Sequence, residues 1–235
     1  MKRFIIEQDF WDIFPDARIG VVLCLGVDNA RRRNDRFGTM LREAELAARA
    51  HIGNEVFSEN PVVKTWREAY RRFKTKGGAR CSIEALLNRV AKGNTLPSIN
   101  PLVDIYNSVS LTYGFPCGGE DIDAFAGEVR LTVATGGEPF VTLGSDENAP
   151  PQPGEVVYKD EAGAICRCWN WRESVRTMLT ENTRNAFLCM ELPDTGRTAE
   201  LEAALAELAR LVREHLAGEC RTALVDSSHR ELQLE

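Results

Sequence analysis

"SINPLVDIYNSVSLTYGFPCGGEDIDAF", residues 98–125, combines helical apolar spacing with three short polar residues at its centre. Asn100 suits a helix N-cap, Pro101 the first helical position and Gly114 the turn that follows a helix, so residues 101–113 read as one helix. Leu102, Tyr106, Val109 and Tyr113 form its apolar stripe, and Asp104, Asn107 and Ser108 form a second, polar one. Short polar side chains inside a helix compete with its backbone. They imply a cap, a buried hydrogen-bonded network or a ligand.

Outward from this helix, "TMLREAELAARAH" (39–51), "NPVVKTWREAYRRF" (60–73) and "SIEALLNRVAKG" (82–93) have helical spacing. The clearest helix comes late. Leu201, Leu205, Leu208, Val212 and Leu216 recur every three or four residues between Thr198 as N-cap and Gly218 as stop. Strands are expected at 18–27, 128–135, 138–143, 155–160, 164–171 and 185–192 from β-branched content and alternation. "CGGE" (117–120) and "GGEP" (136–139) read as turns. Helices, then strands, then a covering helix describe an α+β chain with mainly antiparallel sheets and helices packed on one side. Residues 1–77 are expected to be the N-terminal part of the same structural domain as the core at 78–235.

The chain has 235 residues, 43% of them hydrophobic and 27% charged, enough for one large core or two small ones. Its longest apolar runs, such as 19–27, fall short of the roughly 20 residues that cross a bilayer, and "MKRFIIEQDF" meets acidic residues too early for a signal peptide. A cytoplasmic location and no membrane partner are the expectation. The seven cysteines are irregularly spaced and contain no CxxC pair, so they read as buried thiols rather than a disulfide framework or a zinc site, and no metal or cofactor is expected.

Charge is lopsided. Residues 1–100 carry 18 Lys and Arg against 12 Asp and Glu, whereas 101–235 carry 11 against 23. Within the basic half, "KTWREAYRRFKTKGGAR" (64–80) places Lys64, Arg67, Arg71 and Lys74 on one helical face and Trp66, Tyr70 and Phe73 on another, with Lys76 and Arg80 following. Such a ridge is either a phosphate-facing surface or a solvated face balanced by the acidic half. "RRRND" (31–35) reads as a loop. His51, His215 and His229 are the only histidines and share no face with an acid and a nucleophile, which argues against a histidine-based triad. Glu191, ending an apolar strand, must be solvated, paired or functional.

The run "SINPLVDIYNSVSLTYGFP" followed by Asp121 resembles the signature of the B3/4 domain, the tRNA-editing domain in the beta chain of bacterial phenylalanyl-tRNA synthetase. "GEVRLTVATGGEPFVTLGS" (127–145) is similar to that family's paired strands, and "ENTRNAFLCMEL" (181–192) to its Thr-to-Glu strand. The resemblance implies hydrolysis of a wrongly attached amino acid from the 3′ end of a tRNA. It places Glu191 at the family's side-chain-sensing glutamate. Two departures stand out: Gly118 or Gly119 replaces the family's histidine after Gly-x-Pro, and "WRE" (171–173) replaces its Gly-Gly-Glu turn.

Two functions follow. The first is a free-standing deacylase in which Asn107, Glu191 and Glu173 are catalytic, Asp104, Ser108, Gly118, Trp171 and Arg172 line the amino-acid pocket, and Lys64, Arg67, Arg71, Lys74, Lys76 and Arg80 hold the acceptor end of the tRNA. DNA is not an expected partner. The alternative is a non-catalytic module binding RNA or an amino-acid-like ligand in the same cleft, which the lost histidine and the inserted Trp171 and Arg172 favour.

Overall fold

The computed structural model describes residues 2–30 and 36–234. The expected loop at 31–35 lies outside the described residues. In chain order the elements are β1 (Arg3–Ile6), α1 (Gln8–Ile13), β2 (Arg18–Leu25), α2 (Arg36–Ala47), α3 (Pro61–Tyr70), α4 (Ser82–Ala91), α5 (Pro101–Tyr113), β3 (Cys117–Asp121), β4 (Val129–Val133), β5 (Val156–Asp160), β6 (Gly163–Arg167), β7 (Arg172–Glu173), β8 (Ala186–Leu192), α6 (Thr198–Leu216), β9 (Glu219–Val225) and β10 (Glu231–Gln233).

The helix at 101–113 forms as its ends dictate. Asn100 Oδ1 accepts the Val103 N–H at 3.1 Å, and Gly114 closes the helix in the left-handed region at φ +70°. The polar stripe divides. Asp104, 1% exposed, accepts the Ile99 N–H at 2.8 Å and the Ser98 hydroxyl, and Ser108 donates to the Asp104 carbonyl at 2.7 Å. Both were expected to line a ligand pocket. They instead satisfy the backbone around the start of α5, which a helix enclosed by α2, α6 and a sheet requires.

The strands form two sheets, ordered β10-β1-β4-β5-β6-β7 and β3-β8-β2-β9. Among the described strands β1 and β4 pair in parallel and the other pairs are antiparallel. The fold is therefore α+β with mainly antiparallel sheets. β1 and β2, from the first 77 residues, sit inside sheets otherwise made from the rest of the chain.

β8 organises the interior through its two faces. Leu188, Met190 and Leu192 join Leu102, Ile105, Leu201, Leu205 and Leu208 in a core under α5 and α6. Phe187 and Cys189 turn the opposite way, into a second core that reaches from Phe4 to Leu234 and fills the space between the sheets with α1, α3 and α4. Glu191 shares that second face by the period of two.

Several sequence expectations are corrected. Residues 117–120 form strand β3 rather than a turn, because pairing with β8 overrides the low strand propensity of two glycines. Gly119 is needed there, since a Cβ would stand 2.7 Å from Leu179 Cδ1 and 2.8 Å from Leu188 Cδ2. No strand forms at 138–143 beyond a single bridge from Thr142 to Ser174, because Pro139 has no N–H and the Phe140 N–H is taken by Asn148 Oδ1 at 2.8 Å. The strand expected at 164–171 ends at Arg167, where Cys168 and Trp169 take φ of +48° and +64°. In the last helix Arg197, not Thr198, is the cap residue, and Ala217 makes the left-handed stop at φ +57°. Gly218 serves a different need: a Cβ there would stand 2.4 Å from Val27 Cγ1.

Asn100 also accepts from Asn29 Nδ2 at 3.1 Å and donates to the Leu179 carbonyl at 3.3 Å, joining α5 to two other segments. Asn100→Ala is expected to destabilise the protein by about 1–3 kcal/mol, because it strands buried donors and acceptors; chemical denaturation against the wild type measures this.

Candidate functional site

Between the sheets lies a partly enclosed cavity of about 260 Å³. β8 contributes Phe187, Cys189 and Glu191, β5 and β6 contribute Tyr158 and Cys166, and β3 contributes Gly118 and Glu120. α5 supplies Tyr106 and Asn107, α4 supplies Ser82 and Leu86, and residues 169–173 close one side. None of the three histidines lines it.

Glu191 sits inside the protein at 1% exposure, not at a wet strand end. Its Oε1 accepts the Tyr158 hydroxyl at 2.9 Å, and its Oε2 accepts Asn170 Nδ2 at 3.3 Å. Tyr70 donates its hydroxyl to Asn170 Oδ1 at 2.9 Å, which fixes the amide so that its nitrogen points at Glu191. These partners carry no positive charge, and burial pushes the Glu191 carboxyl up to about 8 against the hydrogen bonds that oppose the shift.

The local backbone explains why Asn170 is available. Cys168 and Trp169 are non-glycine residues in the left-handed region, a conformation that persists only when the surroundings enforce it. The Trp169 side chain is fully buried against Phe10, Phe14 and Trp66, and the residue's backbone N–H donates to the Val156 carbonyl at 2.6 Å. The anchored tryptophan thus turns Asn170 inward and leaves Trp171 half-buried at the cavity, with the exposed Arg172 guanidinium 5.0 Å over its ring.

Glu173 projects from β7 toward β3. Its Oε1 accepts the Gly119 N–H at 3.2 Å and lies 3.1 Å from where a Cβ on Gly118 would stand. The absent side chain at Gly118 is therefore what leaves room for this carboxyl. Burial raises Glu173 to about 7, with the Gly119 hydrogen bond opposing the shift.

Asn107, Glu191, Glu173, Gly118, Trp171 and Arg172 thus border one cavity, whereas Asp104 and Ser108 do not. Sequence reading missed Tyr158, Asn170, Tyr70 and Glu120. Asn170 stood between two tryptophans with no spacing signal, and Glu120 was hidden in the stretch read as a turn. The basic ridge also changes shape. α3 ends at Tyr70, so Arg71, Lys74, Lys76 and Arg80 occupy the segment after it instead of a helical face. Arg67, also exposed, is paired with Glu84 at 2.7 Å, which ties α3 to α4. Lys64, Arg71, Lys74, Lys76 and Arg80 are exposed, and the segment runs directly into Ser82 at the cavity wall.

Fold and site together define an α+β protein whose sheets enclose a carboxyl-lined cavity of amino-acid size. The profile of the B3/4 domain matches residues 65–217, well over half of the chain, and the protein belongs to that family. The phenylalanine–tRNA ligase beta subunit of Mycoplasma pneumoniae is 31% identical to it over 170 residues, which are 66% of this chain and 21% of that protein. The chain thus spans about a fifth of the length of this curated relative. An N-terminal fragment of the phenylalanyl-tRNA synthetase beta-subunit from Pyrococcus horikoshii aligns with 94% of this chain and 50% of its own, at 13% identity and a TM-score of 0.46.

The raised Glu191 has a stability signature. Its carboxyl is neutral when folded and ionises near its ordinary value when unfolded, so the folded state binds the extra proton and loses stability as pH climbs from the ordinary range through about 8. Glu191→Gln removes this dependence. Thermal unfolding between pH 5 and 9 is expected to show the variant gaining on the wild type steadily with pH; a constant difference contradicts the buried neutral carboxyl.

Proposed function

We propose that this protein hydrolyses the ester linking a misattached amino acid to tRNA, acting in trans, and that the cavity takes the aminoacyl group. The observation that carries this reading is the juxtaposition, around one cavity of about 260 Å³, of a hydrogen-bonded floor at Glu191 and a second carboxyl, Glu173, that titrates near neutrality. The volume lies below the roughly 300–1,000 Å³ of sites for drug-sized ligands, which suits a single amino-acid side chain better than a nucleotide.

In this reading the side chain of the amino acid enters toward Glu191, whose largely protonated carboxyl and its Tyr158 and Asn170 partners read its polar groups. Asn107, on the wall formed by α5, donates its amide to the ester carbonyl as negative charge develops on that oxygen. Glu173 takes a proton from a water whose oxygen bonds to the acyl carbon, and returns it to the ribose oxygen as the ester bond breaks. An aminoacyl ester is labile enough for this to proceed without a side-chain nucleophile. Lys64, Arg71, Lys74, Lys76 and Arg80 contact the phosphates of the acceptor end, residues 1–77 and 78–235 act as one domain, and the cytoplasm is the setting. Among the described residues no helix is long and apolar enough to cross a membrane.

One observation favours a second reading, a binding module without turnover: Trp171, with the Arg172 guanidinium 5.0 Å over its ring, takes up part of the cavity wall.

A panel of correctly and incorrectly charged tRNAs tests the two. Deacylation selective for one amino acid is expected, reduced about 10²–10³-fold by Asn107→Ala and broadened or lost by Glu191→Ala. Absence of release above the blank, with charged tRNA still retained, selects the binding module. Because Glu173 acts as a base, turnover rises as pH climbs through about 7, and Glu173→Gln abolishes that limb. Neutralising Arg71, Lys74 and Lys76 together is expected to weaken tRNA binding and to lower its salt slope by about 2–3; an unchanged slope places the tRNA elsewhere.

A further inference from the structure

Glu120 lies on β3 at 6% exposure and borders the same cavity. Alternation along β3 turns Gly118 and Glu120 to one face. That face meets Glu173, since Glu173 Oε1 is 3.1 Å from the Cβ position of Gly118, whereas the Cβ position of Gly119 points the other way, at Leu179 and Leu188. Glu120 and Glu173 therefore converge on one wall. Glu120 Oε2 is buried and makes no hydrogen bond, and the Thr177 hydroxyl, itself unbonded, lies close enough to oppose the upward shift of the Glu120 carboxyl.

Among the described residues no cation bonds this acceptor: Arg176, whose charge reaches Glu120, is held by Asp160 at 2.7 Å, and Arg172 at the cavity border has its guanidinium 5.0 Å over the Trp171 ring. Burial first, and the facing Glu173 second, keep the Glu120 carboxyl well above the usual range. The other titratable groups around it, Tyr106 on α5, Cys166 on β6, and Cys189 and Glu191 on β8, are also pushed upward by burial, so the wall carries little charge of its own near neutral pH.

We infer that Glu120 and Glu173 form the seat of a free ammonium group, so that the cavity takes ligands bearing an unblocked primary amine. The identity of that amine as the α-amino group of an esterified amino acid rests on the proposed function; the binding itself does not. An ammonium offers three N–H donors, one for the unmatched Glu120 Oε2 and another for Glu173, and its charge makes two carboxylates compatible that repel each other in the empty cavity. Binding then expels a proton from the pair. An N-acylated amino acid has neither the charge nor the donors, so a peptidyl or formylated ester is excluded. With Glu120 neutralised by the ligand, Glu173 is ionised and able to accept a proton from water.

Calorimetric titration of the full-length chain at pH 7 with the amides of phenylalanine, tyrosine, serine and alanine, each beside its N-acetyl counterpart, tests the inference. At least one free-amine probe is expected to bind about tenfold or more tighter than its acetylated form, with proton release read from the dependence of the heat on buffer ionisation enthalpy. Glu120→Gln, folded by circular dichroism, is expected to reduce that preference to below about threefold. If this variant does not fold, the wild-type preference and proton count decide alone, with Glu173→Gln as the second variant. Equal binding of amine and acetylated probes, or binding of none at about millimolar concentration, overturns the inference. Amides are not turned over by ester hydrolysis, so the outcomes separate. Amine preference without deacylation removes the proposed activity and leaves the seat; deacylation without amine preference removes the seat alone.

Discussion

The carboxyl of Glu191 is enclosed by protein, and the surrounding structure is arranged to tolerate it. Unpaired burial of an ionised carboxylate is prohibitive, so the group is kept neutral or hydrogen-bonded. Tyr158 from one sheet and Asn170 from the β6–β7 connection both reach it, and Tyr70 on α3 orients Asn170 in turn. β5, the β6–β7 connection and, through Asn170, α3 thus act on one side chain of β8. Glu191, Tyr158 and Asn170 all border the cavity between the sheets.

The backbone bears part of the cost of this arrangement. Two consecutive non-glycine residues in the left-handed region are maintained only because Trp169 is locked among Phe10, Phe14 and Trp66. Strain at Cys168 and Trp169 therefore couples an aromatic core to the placement of Asn170, Trp171 and Glu173. On the facing strand two glycines do complementary work: the missing side chain of Gly118 admits the Glu173 carboxyl, and that of Gly119 admits Leu179 and Leu188.

Much of the fold was legible because local signals agreed with the final structure. Asn100, Pro101 and Gly114 bound α5 as capping physics requires, and strands β2, β4, β5 and β8 announced themselves by composition. β1, β3, β9 and β10 did not: β1 and β10 are only four and three residues long, and the "CGGED" of β3 is fixed by its partner strand rather than by its own propensity. At the cavity, the family resemblance drew attention to Asn107 and Glu191, whereas nothing in the spacing of Tyr70, Tyr158 and Asn170 signals that they meet. Asp104 and Ser108 show the converse: a polar stripe on a helix marks a requirement for hydrogen bonds, and here the backbone meets it.

As proposed, the cavity between the sheets receives an aminoacyl group with its side chain toward Glu191. A crystal structure with a 3′-aminoacylamino-3′-deoxyadenosine, whose amide replaces the labile ester, tests this most directly, using the amino acid released in the deacylation panel. The side chain is expected against Tyr158, Asn170 and Glu191, with the amide carbonyl at Asn107. An analogue seated elsewhere, for instance in the groove between α2, α5 and α6 beside Ser108 and Arg210, contradicts it.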